Sequence, residues 1–330
     1  MRAVLPFVIG ALIVAALPAA APAADKEALK ASIAKSMALL DSAQPKFERQ
    51  ATCASCHNQI APMIAAVAIR GKNLPINEAV FTRQVAMSAE VIRRRHDYSL
   101  IQGVGGGSHA VTSPTLVGLA QVNFPADENT DAAVGYLLGK QSADGSWPGV
   151  AVRYPHGATN FDQTATAVRA IDAYAPPSMR KQADASIARA RAWLIATPAT
   201  NDNEGLTYRL QALAWAKASA GEVGKARTQL AASQLIDGGW AQNPGMASDA
   251  YATGGALVAL HTAGMKPSDP VYQRGLDYLL KTQAADGSWY VKAHALPIQP
   301  PIDSGFPYGT SQWISAWGTA YAAEAMAYAL

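Results

Sequence analysis

The chain has 330 residues, of which half are hydrophobic and 15% are charged. Its 27 basic and 24 acidic side chains leave a formal charge of +3, so no strongly basic surface indicates nucleic-acid binding. The length exceeds that of a usual single domain but fits one large domain with a sizeable core.

The first residues have the pattern of an export signal. Arg2 precedes an apolar stretch from Val4 to Leu17, which is too short to span a membrane, and Ala21-Pro22-Ala23 follows. We therefore expect cleavage after Ala23 and a periplasmic location, with no transmembrane segment in residues 24–330.

The pentapeptide Cys53-Ala54-Ser55-Cys56-His57 contains both cysteines of the chain. C-x-x-C-H is typical of covalent haem c attachment, because two thiols form thioethers with the porphyrin and the adjacent imidazole binds the iron. We expect one haem c on Cys53 and Cys56, with His57 as an axial ligand. A chance occurrence, a disulfide and half of a zinc site are the alternatives.

Three segments of the remaining chain repeat one pattern. Each has a Gln, a turn at Asp-Gly and then a Trp, at Gln141–Trp147, Gln234–Trp240 and Gln283–Trp289. A degenerate copy has Trp193-Leu194, a turn at Asp202–Gly205 and a helix expected from Leu206 to Ser219, and it lacks the Gln and the final Trp. In each unit the pattern predicts a charged helix before the turn and a helix rich in small residues after it.

These Q-x-x-D-G-S-W segments resemble the QW repeats of squalene–hopene cyclases, within the terpenoid cyclase and protein prenyltransferase group. The resemblance implies an all-α toroid of about six inner and six outer helices, with irregular loops. The N-terminal third fits the same plan, with Asp25–Leu40 as an outer helix and a turn at Gln44–Phe47. We expect one domain over residues 24–330; the alternative is a cytochrome-like module at 24–110 and a partial toroid at 111–330.

If the haem opens an inner helix, the loops at that end of the ring hold candidates for the sixth iron ligand. His109 is favoured because Gly105-Gly106-Gly107-Ser108 precedes it, and His156 is second. The further candidates are His96, Met246 and His294.

The same resemblance draws attention to Asp162. The cyclases protonate their substrate with the middle Asp of a D-x-D-D-T-A motif, which corresponds here to Asn160-Phe161-Asp162-Gln163-Thr164-Ala165. Two flanking acids are replaced, so one source of a raised pKa is lost. Helix N-capping is the alternative role, because Asp249 precedes Thr253 by the same interval as Asp162 precedes Thr166.

The favoured function from the sequence is a periplasmic monohaem c-type redox protein. It would carry electrons to a periplasmic redox partner, or oxidise a small or apolar ligand at the haem. One alternative is a non-catalytic haem sensor or binding module. A further alternative is an isoprenoid cyclase or isomerase with Asp162 as the acid.

Overall fold

The computed structural model describes residues 23–50, 56–102, 108–150, 154–157, 159–295 and 302–330. Over these ranges the chain is helical and contains no β-strand. A π-helical turn, Cys56–Ile60, leads into α2, and short 3₁₀ turns lie at Pro177–Met179 and Gly309–Ser311. The α-helices are α1 (Lys26–Gln50), α2 (Ala61–Arg70), α3 (Glu78–Arg94), α4 (His96–Leu100), α5 (Ser108–Gln121), α6 (Glu128–Gly139), α7 (Asn160–Tyr174), α8 (Arg180–Ala196), α9 (Asn203–Trp215), α10 (Ala220–Ala232), α11 (Ala250–Thr262), α12 (Pro270–Thr282) and α13 (Gln312–Tyr328).

The helices alternate between an inner and an outer ring. The inner ring is formed by α2, α5, α7, α9, α11 and α13, each packed against the next, and α13 packs against α2 to close it. The outer ring is formed by α1, α3, α6, α8, α10 and α12. The predicted α/α toroid is therefore confirmed.

Small residues allow the inner helices to approach closely. In α11, every residue from Ala250 to Leu260 is buried. A Cβ atom on Gly254 would lie 2.7 Å from the Cβ of Tyr321 and 2.8 Å from the backbone nitrogen of Ala322 in α13. Helices that bury their whole circumference at this separation cannot carry large side chains at the contact.

The repeated Trp joins its own unit internally. The indole Nε1–H of Trp240 donates to the Leu230 carbonyl at the end of α10, and its backbone N–H donates to Thr253 Oγ1 in α11. The same pair of bonds is made by Trp147 with Leu137 and Thr164, and by Trp289 with Leu279 and Thr319. Each Trp thus fixes an outer helix to the inner helix that follows.

The repeated Gln joins one unit to the next. Gln141, Gln234 and Gln283 donate through Nε2 to carbonyl groups of the following outer helices, at Ser186, Val271 and Ser32. The last bond reaches α1 in the N-terminal third, where Ser36 also donates to the Gly287 carbonyl. The C-terminal repeat is therefore bonded directly to the first outer helix. The domain boundaries and cleavage after Ala23 stay predictions.

Two predicted turns differ from the structure. The turn expected at Gln44–Phe47 is wrong, since α1 continues through Pro45 to Gln50 and buries Phe47. Helix α9 begins at Asn203, three residues before the predicted start at Leu206, because Asp202 caps it by accepting the Gly205 N–H. Among the described residues, no helix combines the length and hydropathy required to cross a bilayer.

Candidate functional site

The inner helices place one layer of side chains near their N-terminal ends. Asp162, Tyr251 and Trp317 each stand two residues before the Thr that accepts the Trp backbone N–H, in α7, α11 and α13. In α9, Glu204 stands two residues after the capping Asp202, as Tyr251 stands two residues after the capping Asp249. Four consecutive inner helices therefore contribute equivalent positions to one layer.

Asp162 lies in the first turn of α7 and is 1% exposed. Its Oδ2 accepts the Gly157 N–H, and its Oδ1 accepts the side-chain amide of Gln163. Burial raises the pKa of Asp162 to about 7, although these hydrogen bonds act in the opposite direction. A carboxyl group with this pKa is half protonated near neutral pH.

Helix capping does not explain Asp162. The cap of α7 is Thr159, whose side chain accepts the Asp162 N–H, whereas Asp249 does cap α11. The capping alternative is thus wrong for Asp162 and correct for Asp249. The sequence pattern had matched Asp162 with Asp249. Thr164 and Thr253 are the equivalent residues, because each accepts the backbone N–H of its repeat's Trp. With these two aligned, the residue that matches Asp249 is Asn160, two positions before Asp162.

Glu204 is a second buried carboxyl group beside Asp162, and it was not identified from the sequence. It is 4% exposed, and its Oε2 accepts the Tyr251 hydroxyl at 3.0 Å. Burial first, and then the charge of Asp162, raise the pKa of Glu204 well above its ordinary value. The signal that could have revealed it is the spacing Asp202-x-Glu204, which matches Asp249-x-Tyr251.

His156 completes this cluster from the loop before α7. Its Nδ1 lies 3.9 Å from Asp162 Oδ2 and 3.8 Å from Glu204 Oε1. The ring packs against Trp317, with centroids 4.0 Å apart, and its side chain is 15% exposed. The imidazole is therefore the part of the cluster that reaches towards solvent.

The three donor atoms of His156, Asp162 and Glu204 lie within 4.8 Å of one another, a grouping that also occurs at divalent-cation sites. Here protein donors already bind both carboxyl groups, from Gly157 and Gln163 to Asp162 and from Tyr251 to Glu204. We therefore interpret the cluster as an acid–base group.

Aromatic rings surround the two carboxyl groups. Tyr251 contacts Trp317 and Tyr321 with ring centroids 6.0 and 5.7 Å apart. The hydroxyls of Tyr321 and Tyr208 are hydrogen-bonded at 3.0 Å. Such surroundings exclude water from a carboxyl group and present electron-rich faces that can stabilise a nearby cation.

The predicted haem residues fall partly outside the described residues. Cys53 lies outside them, and for Cys56 only the backbone is described, at the start of the π-helical turn. His57 is 7% exposed and lies between Phe47 and Trp313, with ring centroids at 5.9 and 6.1 Å. The covalent attachment stays a prediction.

The two favoured candidates for a sixth iron ligand have other contacts. His109 donates from Nε2 to the Pro148 carbonyl at 2.8 Å, and burial lowers its pKa. His156 belongs to the carboxyl cluster. Of the others, His96 contacts Asp97, and Met246 and His294 are exposed.

A groove of about 520 Å³ lies elsewhere, along α1 from Ile33 to Ser42 and against residues 75–77. Asp41 is its one acidic lining residue, and burial raises its pKa to about 6. No second carboxyl group or imidazole lines this groove, so it lacks the chemistry of the Asp162 cluster.

Comparison with known proteins gives one sequence relative and several similar structures. Drimenyl diphosphate synthase of Streptantibioticus cattleyicolor is 30% identical over 175 residues, which are 48% of this chain and 31% of that enzyme. The match thus spans about a third of the relative's length. No protein-family profile matches the chain.

Among solved structures, the chain is similar to type II terpene cyclase MstE from Scytonema. A variant in complex with geranylgeranyl dihydroxybenzoate has 16% identity and a TM-score of 0.59, covering 92% of this chain and 98% of that one. Another variant, in complex with merosterolic acid A, has 14% identity and a TM-score of 0.60, covering 92% and 99%. A glycosidase variant has 13% identity and a TM-score of 0.58, covering 90% and 98%. At these identities the likeness shows the fold alone.

These findings correct the function expected from the sequence. The predicted haem redox function, as an electron carrier or an oxidase, is wrong, because the sequence relative is a drimenyl diphosphate synthase and the similar structures include type II terpene cyclases. The same finding removes the haem sensor alternative, together with the cytochrome and electron-transfer assignments. The physical reason for the error is that C-x-x-C-H specifies an attachment, whereas chemistry depends on the groups that tertiary packing brings together.

Proposed function

We propose that this protein is an isoprenoid cyclase or isomerase that starts its reaction by protonating a carbon–carbon double bond with Asp162. The observation that carries the proposal is a carboxyl group buried among aromatic rings in the first turn of an inner helix, where burial raises its pKa. An alkene is a weak base, so its protonation needs an acid held in water-poor surroundings.

The proposed step balances without a further reactant. The O–H bond of Asp162 breaks, and the π electrons of the alkene form a new C–H bond. A tertiary carbocation and an Asp162 carboxylate result. Attack on the cation by a second double bond closes a ring, and loss of a proton from carbon ends the reaction. The proton returned to Asp162 restores the starting state, so the product is an isomer of the substrate.

The surroundings of Asp162 support this role. The faces of Trp317 and Tyr251 are electron-rich and favour a nearby carbocation. His156 is the group of the cluster that reaches towards solvent, so it is placed to return a proton to Asp162 after turnover. The printed names of the relatives, a drimenyl diphosphate synthase and a cyclase bound to a geranylgeranyl compound, favour a linear prenyl chain as the substrate class.

The test is turnover in deuterium oxide. Purified protein is incubated with farnesyl diphosphate, geranylgeranyl diphosphate or a geranylgeranyl phenol, and products are analysed by mass spectrometry. We expect a cyclic or shifted isomer with one deuterium on carbon. Asp162→Asn should lower the rate by at least about 100-fold, because general acid catalysis contributes roughly 10²–10⁴. Full activity in that variant would overturn the proposal.

A haem c on Cys53, Cys56 and His57, and export to the periplasm, remain proposals beside this one. Proton transfer from Asp162 does not need the haem, whose role would then be structural or regulatory. We expect protein from a host with haem c maturation to show a thioether-haem spectrum that is absent from the Cys53→Ala, Cys56→Ala double variant. Isomer formation by the double variant should stay within about threefold of the parent, which is less than 1 kcal/mol in barrier.

A further inference from the structure

We infer that Glu204 is a positioning residue that keeps its own proton at neutral pH and donates a hydrogen bond from Oε1 to the carboxyl group of Asp162. The inference rests on the proposed role of Asp162 as the acid. It assigns a role to a side chain of α9 that lies outside the D-x-D-D-like segment of α7.

The geometry favours a proton between the two side chains. The carboxyl groups of Asp162 and Glu204 lie within 4.8 Å and both are buried. Tyr251 donates to Glu204 Oε2, whereas Glu204 Oε1 has no donor among the N–H and O–H groups of the described residues. Two ionised carboxylates in such surroundings would repel each other strongly. A proton on Oε1 removes the repulsion and gives that buried oxygen a partner in Asp162.

The hydrogen bonds around the pair decide which group keeps the proton. Asp162 accepts from Gly157 and from Gln163, and both bonds stabilise its ionised form. Within the described part of the chain, Glu204 accepts one hydrogen bond, from Tyr251. Asp162 therefore ionises first, while burial raises the pKa of both carboxyl groups above their ordinary values. The two carboxyl groups titrate as a coupled pair. The first proton to leave comes from Asp162, and the proton that remains on Glu204 is held more tightly.

The arrangement serves the reaction because it stabilises the product of proton transfer. When Asp162 gives its proton to an alkene, its carboxylate accepts three hydrogen bonds, from Gly157, Gln163 and Glu204. The donor from Glu204 makes Asp162 a stronger acid while burial keeps its proton in place at rest. Asn160, which stands where the cyclase motif has an acid, is bound instead to the Gly149 N–H and takes no part.

The other ionisable groups near the pair do not compete for this role. Tyr208, Tyr251 and Tyr321 are all buried, and burial raises the pKa of each above its ordinary value, so they stay neutral below about pH 10. Among the described residues, the further ionisable neighbours of the pair are Tyr154 and His156 in the preceding loop and Asp202, the cap of α9.

Two uncharged substitutions of Glu204 test whether its role is to donate a hydrogen bond, because one keeps a donor and the other removes it. In Glu204→Gln, the amide can still accept from Tyr251 and donate to Asp162, so kcat should stay within about tenfold. In Glu204→Leu the donor is lost, and kcat should fall by about 100-fold with little change in KM, as for loss of a donor to a developing oxyanion. Circular dichroism and thermal melting establish that both variants fold.

The direction in which the pH–rate profile shifts shows whether Glu204 is protonated or ionised. Activity needs protonated Asp162, so it falls on the alkaline side of the apparent pKa. Loss of a donor destabilises the carboxylate, so in Glu204→Leu this alkaline limb should move to higher pH while the maximal rate falls. A limb that moves to lower pH in both variants would show that Glu204 is ionised, and would overturn the inference. Loss of wild-type activity on chelation, with recovery on adding Zn²⁺, would also overturn it, because the pair would then hold a cation.

A measurement without substrate keeps this test separate from that of the proposed function. Infrared difference spectra at about pH 9, where Asp162 is ionised, should show the carbonyl band of a protonated carboxylic acid in wild type and in Asp162→Asn. The band should be absent from Glu204→Gln. If the band is present but no isoprenoid turns over, the proposed function fails and the protonated Glu204 stands. If Asp162→Asn abolishes turnover but the band is absent, only the inference fails.

Discussion

The inner ring holds buried carboxyl groups at both ends. A comparison of their surroundings distinguishes the proposed proton donor, Asp162, from a second buried acid, Glu324. Glu324 lies seven residues beyond Trp317 in α13, about 10 Å along the helix axis from the Asp162 layer. Burial raises its pKa to about 7, as it does for Asp162. Glu324 accepts one hydrogen bond, from Tyr328 at 2.7 Å.

Asp162 and Glu324 have similar raised pKa values, but the side chains around them differ. Asp162 has a second carboxyl group and an imidazole within reach, whereas among the described residues Glu324 belongs to no such group of three. At both ends burial is the cause that raises the pKa, but proton transfer also needs a route for the proton and stabilisation of the anion. The partners therefore identify the candidate acid.

The largest expected effect contrasts matched substitutions at the two ends. Asp162→Asn should lower isomer formation by at least about 100-fold, because the proton donor is removed. Glu324→Gln, which replaces the same kind of buried acid, should leave the rate within about twofold. Rates for both variants, compared after equal folding is shown by circular dichroism, check the contrast. Equal losses in both would mean that burial of acids, and not proton donation, determines activity.

The next effect concerns stability at the Glu324 end. Its pKa is about 7 in the folded chain against 4.5 in the unfolded one, so the folded state binds more protons between these values. Stability therefore falls as pH rises through this window, by roughly 3 kcal/mol in all. Glu324→Gln lacks this loss, so relative to wild type it should gain stability between about pH 4 and 8. Urea unfolding at both pH values measures it, and parallel curves would contradict the assigned burial.

The smallest expected effect concerns the tyrosines that donate to Glu204 at one end of the ring and to Glu324 at the other. Tyr251→Phe removes the hydroxyl that donates to Glu204 but keeps the ring, so kcat should fall about fivefold, the equivalent of roughly 1 kcal/mol for one hydrogen bond. Tyr328→Phe removes the matching donor to Glu324 and should not change kcat. A larger loss in Tyr328→Phe than in Tyr251→Phe would reverse the functional assignment of the two ends.

The sequence predicted much of the ring because its bonds recur at fixed spacing. Gln, Asp-Gly and Trp recur with the same roles at 141–147, 234–240 and 283–289, and the helix boundaries follow within a few residues. The sequence pattern placed Glu204 in a turn, because the degenerate repeat lacks its Trp and gives no register for the helix that follows. The sequence pattern identified Asp162 but matched it with Asp249. The residue equivalent to Asp162 in α11 is Tyr251, two positions later, so the layer that they share was not recognised.

What the sequence determined by itself is the pattern of the toroid: local turn chemistry and repeated side-chain bonds act within one unit or between neighbours in the ring. What only the tertiary structure decided is the chemistry of the N-terminal layer. Asp162, Glu204 and Tyr251 are separated by 42 and 47 residues, and no local rule relates their side chains. Packing of α7, α9 and α11 brings them together, and burial in that packing is the largest cause of the raised pKa values on which the proposed proton transfer depends.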